Sequence, residues 1–313
     1  MKVAVLKGGR SLERQVSLRS AARVEDALAS LGHEVVPLDA GADLVQRLKE
    51  EDPEVAFLAL HGPGGEDGTP QELLEILGIP YTGPGVAACI RCMDKVLAKH
   101  LLRAAGIPTP DWAAFNSTAF RELGAADALE EIESRLGFPL VVKPGAQGSA
   151  LGVRFAASRD DVPEALVAAF SYDDRVLLER HVSGRELAVS LLEGEPLPVV
   201  EVRPKEEDRF NYEARYEIGR TEYVCPAELT ATETADAHAV ATRAYETLGC
   251  TGFARVDLIL DADASPQVLE ANAIPGLTDT SLFPMAADAA GVSFEDLVAR
   301  IVDLALRRSP TAA

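Results

Sequence analysis

Two short runs toward the carboxyl end carry side chains suited to a highly charged substrate: Arg255-Val256-Asp257, and Glu270-Ala271-Asn272 followed by Ala273-Ile274-Pro275-Gly276. Gly252 to Leu260 alternates like a strand, Gln267 to Asn272 is a second extended run, and the turn-rich Asp261-Ala262-Asp263-Ala264-Ser265-Pro266 joins them. Side chains two apart on a strand share a face, so a hairpin brings Arg255 and Asp257 together with Glu270 and Asn272. Two carboxylates and an amide, with a cation beside them, suit Mg2+ that keeps some waters and is completed by substrate phosphates. Taken alone, the pattern also describes an edge hairpin with solvated acids. The rest of the chain decides between the two.

The amino end reads as an α/β scaffold. Val3 to Leu6 is a short apolar run closed by Gly8-Gly9, and Val24, Leu28 and Leu31 then recur at helical spacing within Val16 to Leu31. A strand near Glu34 to Leu38, a helix near Leu44 to Lys49 and the strand Val55 to Leu60 continue the alternation. The last run lacks polar alternation, as expected of a parallel strand covered on both faces. It leads into His61-Gly62-Pro63-Gly64-Gly65-Glu66-Asp67-Gly68, beyond the carboxyl end of a strand, where open α/β sheets hold their ligands. Thr69-Pro70-Gln71-Glu72 reads as a capping box opening a helix that stops at Gly78. Met singly, His61 is as readily a loop anchor, and Glu13 one more exposed acid.

A domain boundary follows the Gly83 to Gly85 turn, and Asp94-Lys95 opens a helix with Leu97, Leu101, Leu102 and Ala105 in period. Leu140 to Pro144, the small-residue loop Gly145 to Gly152 and the extended Val153-Arg154-Phe155 form strand, loop and strand. A Walker loop runs from strand to helix and ends in Gly-Lys-Ser/Thr, so this hairpin is not one. A glycine-rich flap can still fold its N–H groups over phosphates, with Lys143 beneath to neutralise them. Further strands from Arg175 and from Arg185 put Glu179 and Glu186 at strand ends. Arg203 to Val224 is polar and aromatic, too long for a hairpin turn and of the kind that forms functional lids. Helices from about Thr232 to Leu248 and from Phe294 to Arg308 close the chain.

Composition limits the partners. With 313 residues, 47% hydrophobic and 26% charged, the chain has the make-up of a soluble globular protein of two or three domains. Its net charge of -20, from 50 acids against 30 bases, opposes a nucleic-acid backbone or an anionic membrane. A bound phosphate must therefore meet a local cationic pocket. No apolar run approaches the roughly 20 residues of a membrane span, and the apolar start is too short for a signal peptide, so a cytoplasmic location is expected. Cys89-Ile90-Arg91-Cys92 has no second ligand pair at zinc spacing, and the four cysteines are expected to pack.

Six motifs in register resemble the ATP-grasp enzymes, and within them the D-alanine–D-alanine ligases. They are Gly8-Gly9-Arg10-Ser11-Leu12-Glu13-Arg14-Gln15-Val16-Ser17, His61-Gly62 through Gly68-Thr69, Met93-Asp94-Lys95, Val142-Lys143-Pro144 with Gly148-Ser149, Tyr212-Glu213-Ala214-Arg215-Tyr216, and Glu270-Ala271-Asn272 through Ser281-Leu282. The resemblance implies an ATP-grasp fold, α/β with an α+β arrangement overall, opening on a Rossmann-like parallel-sheet domain. It divides the chain into a substrate domain (1–92), a central subdomain with the flap (93–182) and a carboxy-terminal subdomain with the lid and metal site (183–313). It implies ATP as substrate, held by Lys95, Lys143, Glu179, Val182, Glu186 and Arg215. Two Mg2+ (or Mn2+) would sit on Asp257, Glu270 and Asn272.

The implied reaction joins two D-alanines. The first carboxylate attacks the γ-phosphate, and the second amine then attacks the D-alanyl phosphate. Glu13 and His61 would face the first D-alanine, Ser281 and the Leu282 N–H the second carboxylate, and Arg255 and the Gly276 N–H the oxyanion. Ser281 would also cap a helix whose N-terminus favours an anion. Tyr216 with Ser149 and Glu13 would shut out water. The chain departs from the family in Arg215 for the usual lysine, in Ala150 after Ser149 where a second serine is common, and in Phe210-Asn211 for Tyr-Asp. Alternatives are a ligase using D-lactate or D-serine second, against which Tyr216 speaks, and a non-catalytic ATP-binding regulator, against which Arg255, Asp257 and Glu270 speak. A homodimer is expected.

Overall fold

In a computed structural model of the chain, which describes residues 1–204 and 221–307, the amino-terminal alternation is realised as β1 (Lys2–Lys7), α1 (Arg14–Ser30), β2 (Glu34–Asp39), α2 (Leu44–Glu51), β3 (Val55–Leu58), α3 (Thr69–Leu77) and α4 (Val86–Met93). The three strands form a parallel sheet of order β2-β1-β3. All four residues of β3 are buried, which is why its sequence shows no alternation. It stops at Leu58, although the Ala59 N–H still reaches the Leu6 carbonyl at 3.0 Å. The expected capping box does not form: Thr69 is already inside α3, left-handed Gly68 stands at the cap, and Asp67 accepts the Thr69 N–H at 3.1 Å.

The central part runs α5 (Lys95–Ala104), β4 (Trp112–Asn116), α6 (Ser117–Glu122), α7 (Leu129–Leu136), β5 (Leu140–Pro144), β6 (Arg154–Ala156), α8 (Val162–Phe170) and β7 (Arg175–Arg180). Its antiparallel sheet has the order β4-β7-β5-β6, and β5 pairs with β6 on either side of the glycine-rich loop. Leu136, Val142, Leu166 and Leu178 belong to a core of its own.

The remainder comprises β8 (Gly184–Leu192), β9 (Glu195–Pro196), β10 (Val200–Pro204), β11 (Thr221–Val224), α9 (Ala231–Leu248), β12 (Phe253–Asp261), β13 (Pro266–Asn272), α10 (Leu282–Ala289) and α11 (Phe294–Arg307). The sheet order is β11-β10-β8-β12-β13, with β9 beside β8. In the β12–β13 ladder Arg255 stands opposite Asn272 and Asp257 opposite Glu270, after which the register shifts. This sheet shares one core with the amino-terminal sheet, since Phe57, Phe253, Phe283 and Ile301 lie in the same buried cluster. Thr230 and Glu233 make a reciprocal capping box at the start of α9. All four cysteines are free thiols, and Cys92 Sγ lies 3.5 Å from Cys250 Sγ in the shared core.

Candidate active site

Two adjoining cavities lie where the three sheets meet. The larger, about 360 Å3, is lined by Lys95, Lys143, Glu179, Val182 and Glu186, which arrive from α5, β5, β7, the turn after it and β8. The smaller, about 100 Å3, is lined by Glu13, His61, Ser149, Arg255, Gly276, Ser281 and Leu282, among others. Glu186, Asp257 and Glu270 line both. Every expected site residue within the described part of the chain therefore borders one cavity or the other. Arg215 and Tyr216, with Phe210 and Tyr212, lie outside the described residues.

In the larger cavity the charges are paired. Lys143 Nζ and Lys99 Nζ each lie 2.5 Å from an oxygen of Glu179, which is 2% exposed. Burial pushes the Glu179 carboxyl up, but the two ammonium groups more than offset it and hold it below the usual carboxylate range. Lys95 spans 2.7 Å to Glu270 and donates to the Gln147 carbonyl of the flap at 2.9 Å. Burial works against its charge, yet the attraction of Glu270 raises it above the ordinary lysine value.

The smaller cavity handles a carboxylate differently. Glu13 is 6% exposed, and one of its oxygens, Oε2, has no hydrogen-bond partner among the described residues. Its Oε1 accepts from the Ser149 hydroxyl at the tip of the flap. Burial first, and then the nearby Glu66 carboxylate, push Glu13 up to about 7 against the pull of Ser149, His61 and Lys95. The flap fits closely over it, because a Cβ on Gly148 would overlap Glu13 Oε2. Ser149 and Ala150 are both left-handed, with φ of 52° and 55°. That backbone costs on the order of 1 kcal/mol for each non-glycine residue, so the loop carries strain opposite the Ser149–Glu13 contact.

His61 is held by neighbours that leave its ring one orientation. Its Nδ1 lies 3.1 Å from Glu66 Oε1, and its Nε2 lies 3.1 Å from Ser20 Oγ, which itself accepts the Leu277 N–H. With Nδ1–H donating to the Glu66 carboxylate, Nε2 can accept from the Ser20 hydroxyl. Ser281 stands at the N-cap of α10 but does not cap it through its side chain. Its hydroxyl accepts the Thr278 N–H at 3.0 Å and lies 2.8 Å from Thr278 Oγ1. The first-turn N–H groups of α10 are thus free of a side-chain cap from Ser281, an arrangement that suits an incoming anion. A Cβ on Gly276 would come within 2.9 Å of Ser281 Oγ, so a larger residue there would displace that hydroxyl.

The hairpin acids form the floor between the cavities. Arg255 grips Asp257 with Nε and Nη2 at 2.7 and 2.8 Å, and Asn272 Nδ2 donates to Asp257 Oδ2 at 3.0 Å. Among the described residues no three His, Cys, Asp or Glu side chains gather at metal-binding distance. A divalent ion would rest on two carboxylates and the Asn272 amide, with Lys95 moving off Glu270. Hard oxygen donors completed by phosphate and water fit Mg2+ or Mn2+.

Comparison with known proteins bears on this arrangement. Residues 101–303 match the family model described as D-ala D-ala ligase C-terminus, and residues 41–84 the one described as D-ala D-ala ligase N-terminus. The D-alanine–D-alanine ligase of Synechococcus sp. (strain JA-3-3Ab) is 44% identical over 99% of this chain and 95% of its own length. The chain belongs to the D-alanine–D-alanine ligase family. Crystal structures of the Bacillus anthracis member superpose with TM-scores of 0.87, at 36% identity, and 0.83, at 34% identity, for a form complexed with ATP. Each covers 98% of both chains. The fold is accordingly ATP-grasp.

Several residues around the ligase site were not singled out from sequence. Glu66 sits five residues after His61 in the same glycine-rich loop. Lys99 follows Lys95 by one helical turn on α5, so both reach the same side of the helix. Arg185 and Arg203 converge on buried Glu201 at the edge of the larger cavity, each with an Nη2 to Oε2 distance of 2.7 Å.

Proposed function

We propose that the two cavities act in sequence in an ADP-forming ligation of two D-alanines, ATP in the larger and both amino acids in the smaller. The product is a peptidoglycan precursor. The first D-alanine carboxylate attacks the γ-phosphorus and ADP leaves, giving D-alanyl phosphate. The amine of the second D-alanine adds to that carbonyl, and collapse of the tetrahedral adduct expels phosphate and leaves D-alanyl-D-alanine. The observation that carries the reading is the contact of the cavities through Asp257, Glu270 and Glu186, which lets a phosphoryl group reach a carboxylate across one wall.

The chain's residues take roles their surroundings support. Lys95 and Lys143 would meet the phosphates, Glu179 and Val182 the adenine side, and Glu186 the ribose. Asp257, Glu270 and Asn272 would hold Mg2+, which when bound would screen the charge of the phosphates. Glu13, ionised, would take the ammonium of the first D-alanine, with His61 beside it. Arg255 and the Gly276 N–H would donate to the oxyanion, worth about 3 kcal/mol of barrier per donor. Ser281 and the Leu282 N–H would receive the second carboxylate at the start of α10. Arg215 and Tyr216 keep their expected roles at the nucleotide and over the site.

The same reading takes residues 1–92, 93–182 and 183–313 as the working units, a homodimer as the assembly and the cytoplasm as the location. No described helix is long and apolar enough to cross a membrane. The test is ADP release from purified protein with Mg-ATP, comparing D-alanine, L-alanine, D-alanine with D-lactate or D-serine, and no amino acid, with mass detection of product. D-alanine-dependent ADP release matched by dipeptide is expected. ATP binding without such turnover would return the chain to a regulatory role.

A further inference from the structure

We propose that Lys99 is a positioning residue of the nucleotide site: it stays with Glu179 so that Lys143 can leave that carboxylate for the phosphates of ATP. The inference rests on the reading of Glu179 and Lys143 as nucleotide-contacting groups. Glu179 lies on β7, between β4 and β5, with Trp112 and Val141 in register on either side. One buried carboxylate is thus shared by two ammonium groups, Lys143 at Oε1 and Lys99 at Oε2. The cluster holds one positive charge more than Glu179 can balance.

The two lysines are held very differently. Lys99 is 1% exposed and donates to Thr109 Oγ1 at 2.6 Å and to the Pro110 carbonyl at 3.2 Å, besides its ion pair with Glu179. Thr109 is itself tied to the Val268 carbonyl at 2.7 Å, which joins this anchor to β13. Two hydrogen bonds and the 2.5 Å ion pair thus fix this ammonium in place. Its nitrogen also lies 5.3 Å from the ring centre of Trp112. Lys143 lines the larger cavity and, among the described residues, hydrogen-bonds Glu179. Only Lys143 is placed to turn toward a phosphate.

Charge balance then assigns the roles. If Lys143 were the sole counter-ion, its departure would leave a buried carboxylate unpaired, which is strongly unfavourable. With Lys99 in place a neutral pair stays behind, and the surplus cation moves to the nucleotide. The charged groups facing the cluster are Lys143 from β5, Lys99 from α5 and, acting on Lys99, Arg103 one turn further along α5. Removing Lys99 should therefore make nucleotide binding draw in a proton, because Glu179 must be neutralised when Lys143 leaves.

The test is calorimetric titration of the full chain with a non-hydrolysable ATP analogue and Mg2+, in buffers of different ionisation enthalpy from pH 6 to pH 8. Lys99→Met is expected to bind about tenfold or more weakly at pH 8, to take up nearly one more proton per nucleotide than the wild type, and to weaken as pH rises. Its KM for D-alanine should stay within about twofold. Adding Glu179→Gln to Lys99→Met should abolish the extra proton. Wild-type affinity and proton count in Lys99→Met would overturn the proposal, as would equal loss toward nucleotide and D-alanine without proton uptake. If Lys99→Met does not fold, Thr109→Val keeps the ammonium and loosens its anchor. It should raise the Kd for nucleotide alone, and an equal change in the D-alanine KM would overturn the proposal. Unchanged nucleotide affinity in both Glu179→Gln and Lys143→Met would instead overturn the underlying reading of the nucleotide site.

Discussion

Glu179 and Glu13 are both buried carboxylates facing a cavity, and their surroundings drive them in opposite directions. Two lysines hold Glu179 ionised, whereas burial and Glu66 bring Glu13 to about 7, so that near neutrality it exchanges its proton readily. The difference follows the ligands the two cavities suit. On the proposed assignment, a polyanion such as ATP would be met by cations already in place, Lys95 on Glu270 and Lys143 on Glu179. A zwitterion brings its own ammonium, so an acid with no ion pair among the described residues would acquire one if the amino acid binds there as proposed. Burial of one residue type thus yields either an ionised counter-ion or a carboxyl that exchanges its proton near neutrality, according to which side chains face it.

The sharpest way to break the comparison is at the shared wall. Glu270→Gln would remove a carboxylate proposed to hold Mg2+, and turnover should fall at least about a hundredfold while the ATP analogue still binds. Near-normal kcat in a Mg2+ titration would contradict the metal assignment. Next in size, Glu13→Gln should raise the KM for the first D-alanine about tenfold or more and leave nucleotide affinity unchanged, as read by separate saturation curves. In the wild type, affinity for the first D-alanine should improve as pH rises through about 7, where Glu13 ionises.

The same residue predicts a stability effect of opposite sign to its kinetic one. A carboxyl raised from 4.5 to about 7 binds a proton in the folded state that the unfolded chain has released. Its contribution therefore lowers wild-type stability as pH rises between those values and stays at its full cost above them. Glu13→Gln should stabilise the protein by up to about 3 kcal/mol at pH 8 and by little at pH 4, measured by denaturant unfolding. A gain over the wild type no larger at pH 8 than at pH 4 would mean that Glu13 is not held in this way. The smallest effect serves as a control at a residue that lines neither cavity: Thr230→Ala removes the α9 cap and should cost about 1 kcal/mol of stability with unchanged KM values.

Much of the scaffold could be read directly from residues. The uninterrupted apolar run at Val55, the strand-loop-strand around Gly148 and the facing of Asp257 with Glu270 each follow from periodicity and turn chemistry. What brings Glu13 to Ser149 is a tertiary approach across 136 positions, and no local pattern encodes it. It entered only through the family motifs. Lys99 was passed over because a lysine on an amphipathic helix is ordinarily solvated, and only the closing of β4 and β7 over α5 buries it. Ser281 was placed correctly at a helix start, yet its hydroxyl turns to Thr278, a choice made by the tight 278–281 turn rather than by the cap signature.

The most direct measurement of the central claim uses D-alanine labelled with 18O in its carboxylate, turned over with unlabelled Mg-ATP, followed by mass analysis of the released phosphate. Attack of the first carboxylate on the γ-phosphorus predicts that each phosphate carries one labelled oxygen and that dipeptide forms in equal amount. Unlabelled phosphate, with dipeptide or without it, would contradict the D-alanyl phosphate and with it the passage of a phosphoryl group from the larger cavity to the smaller.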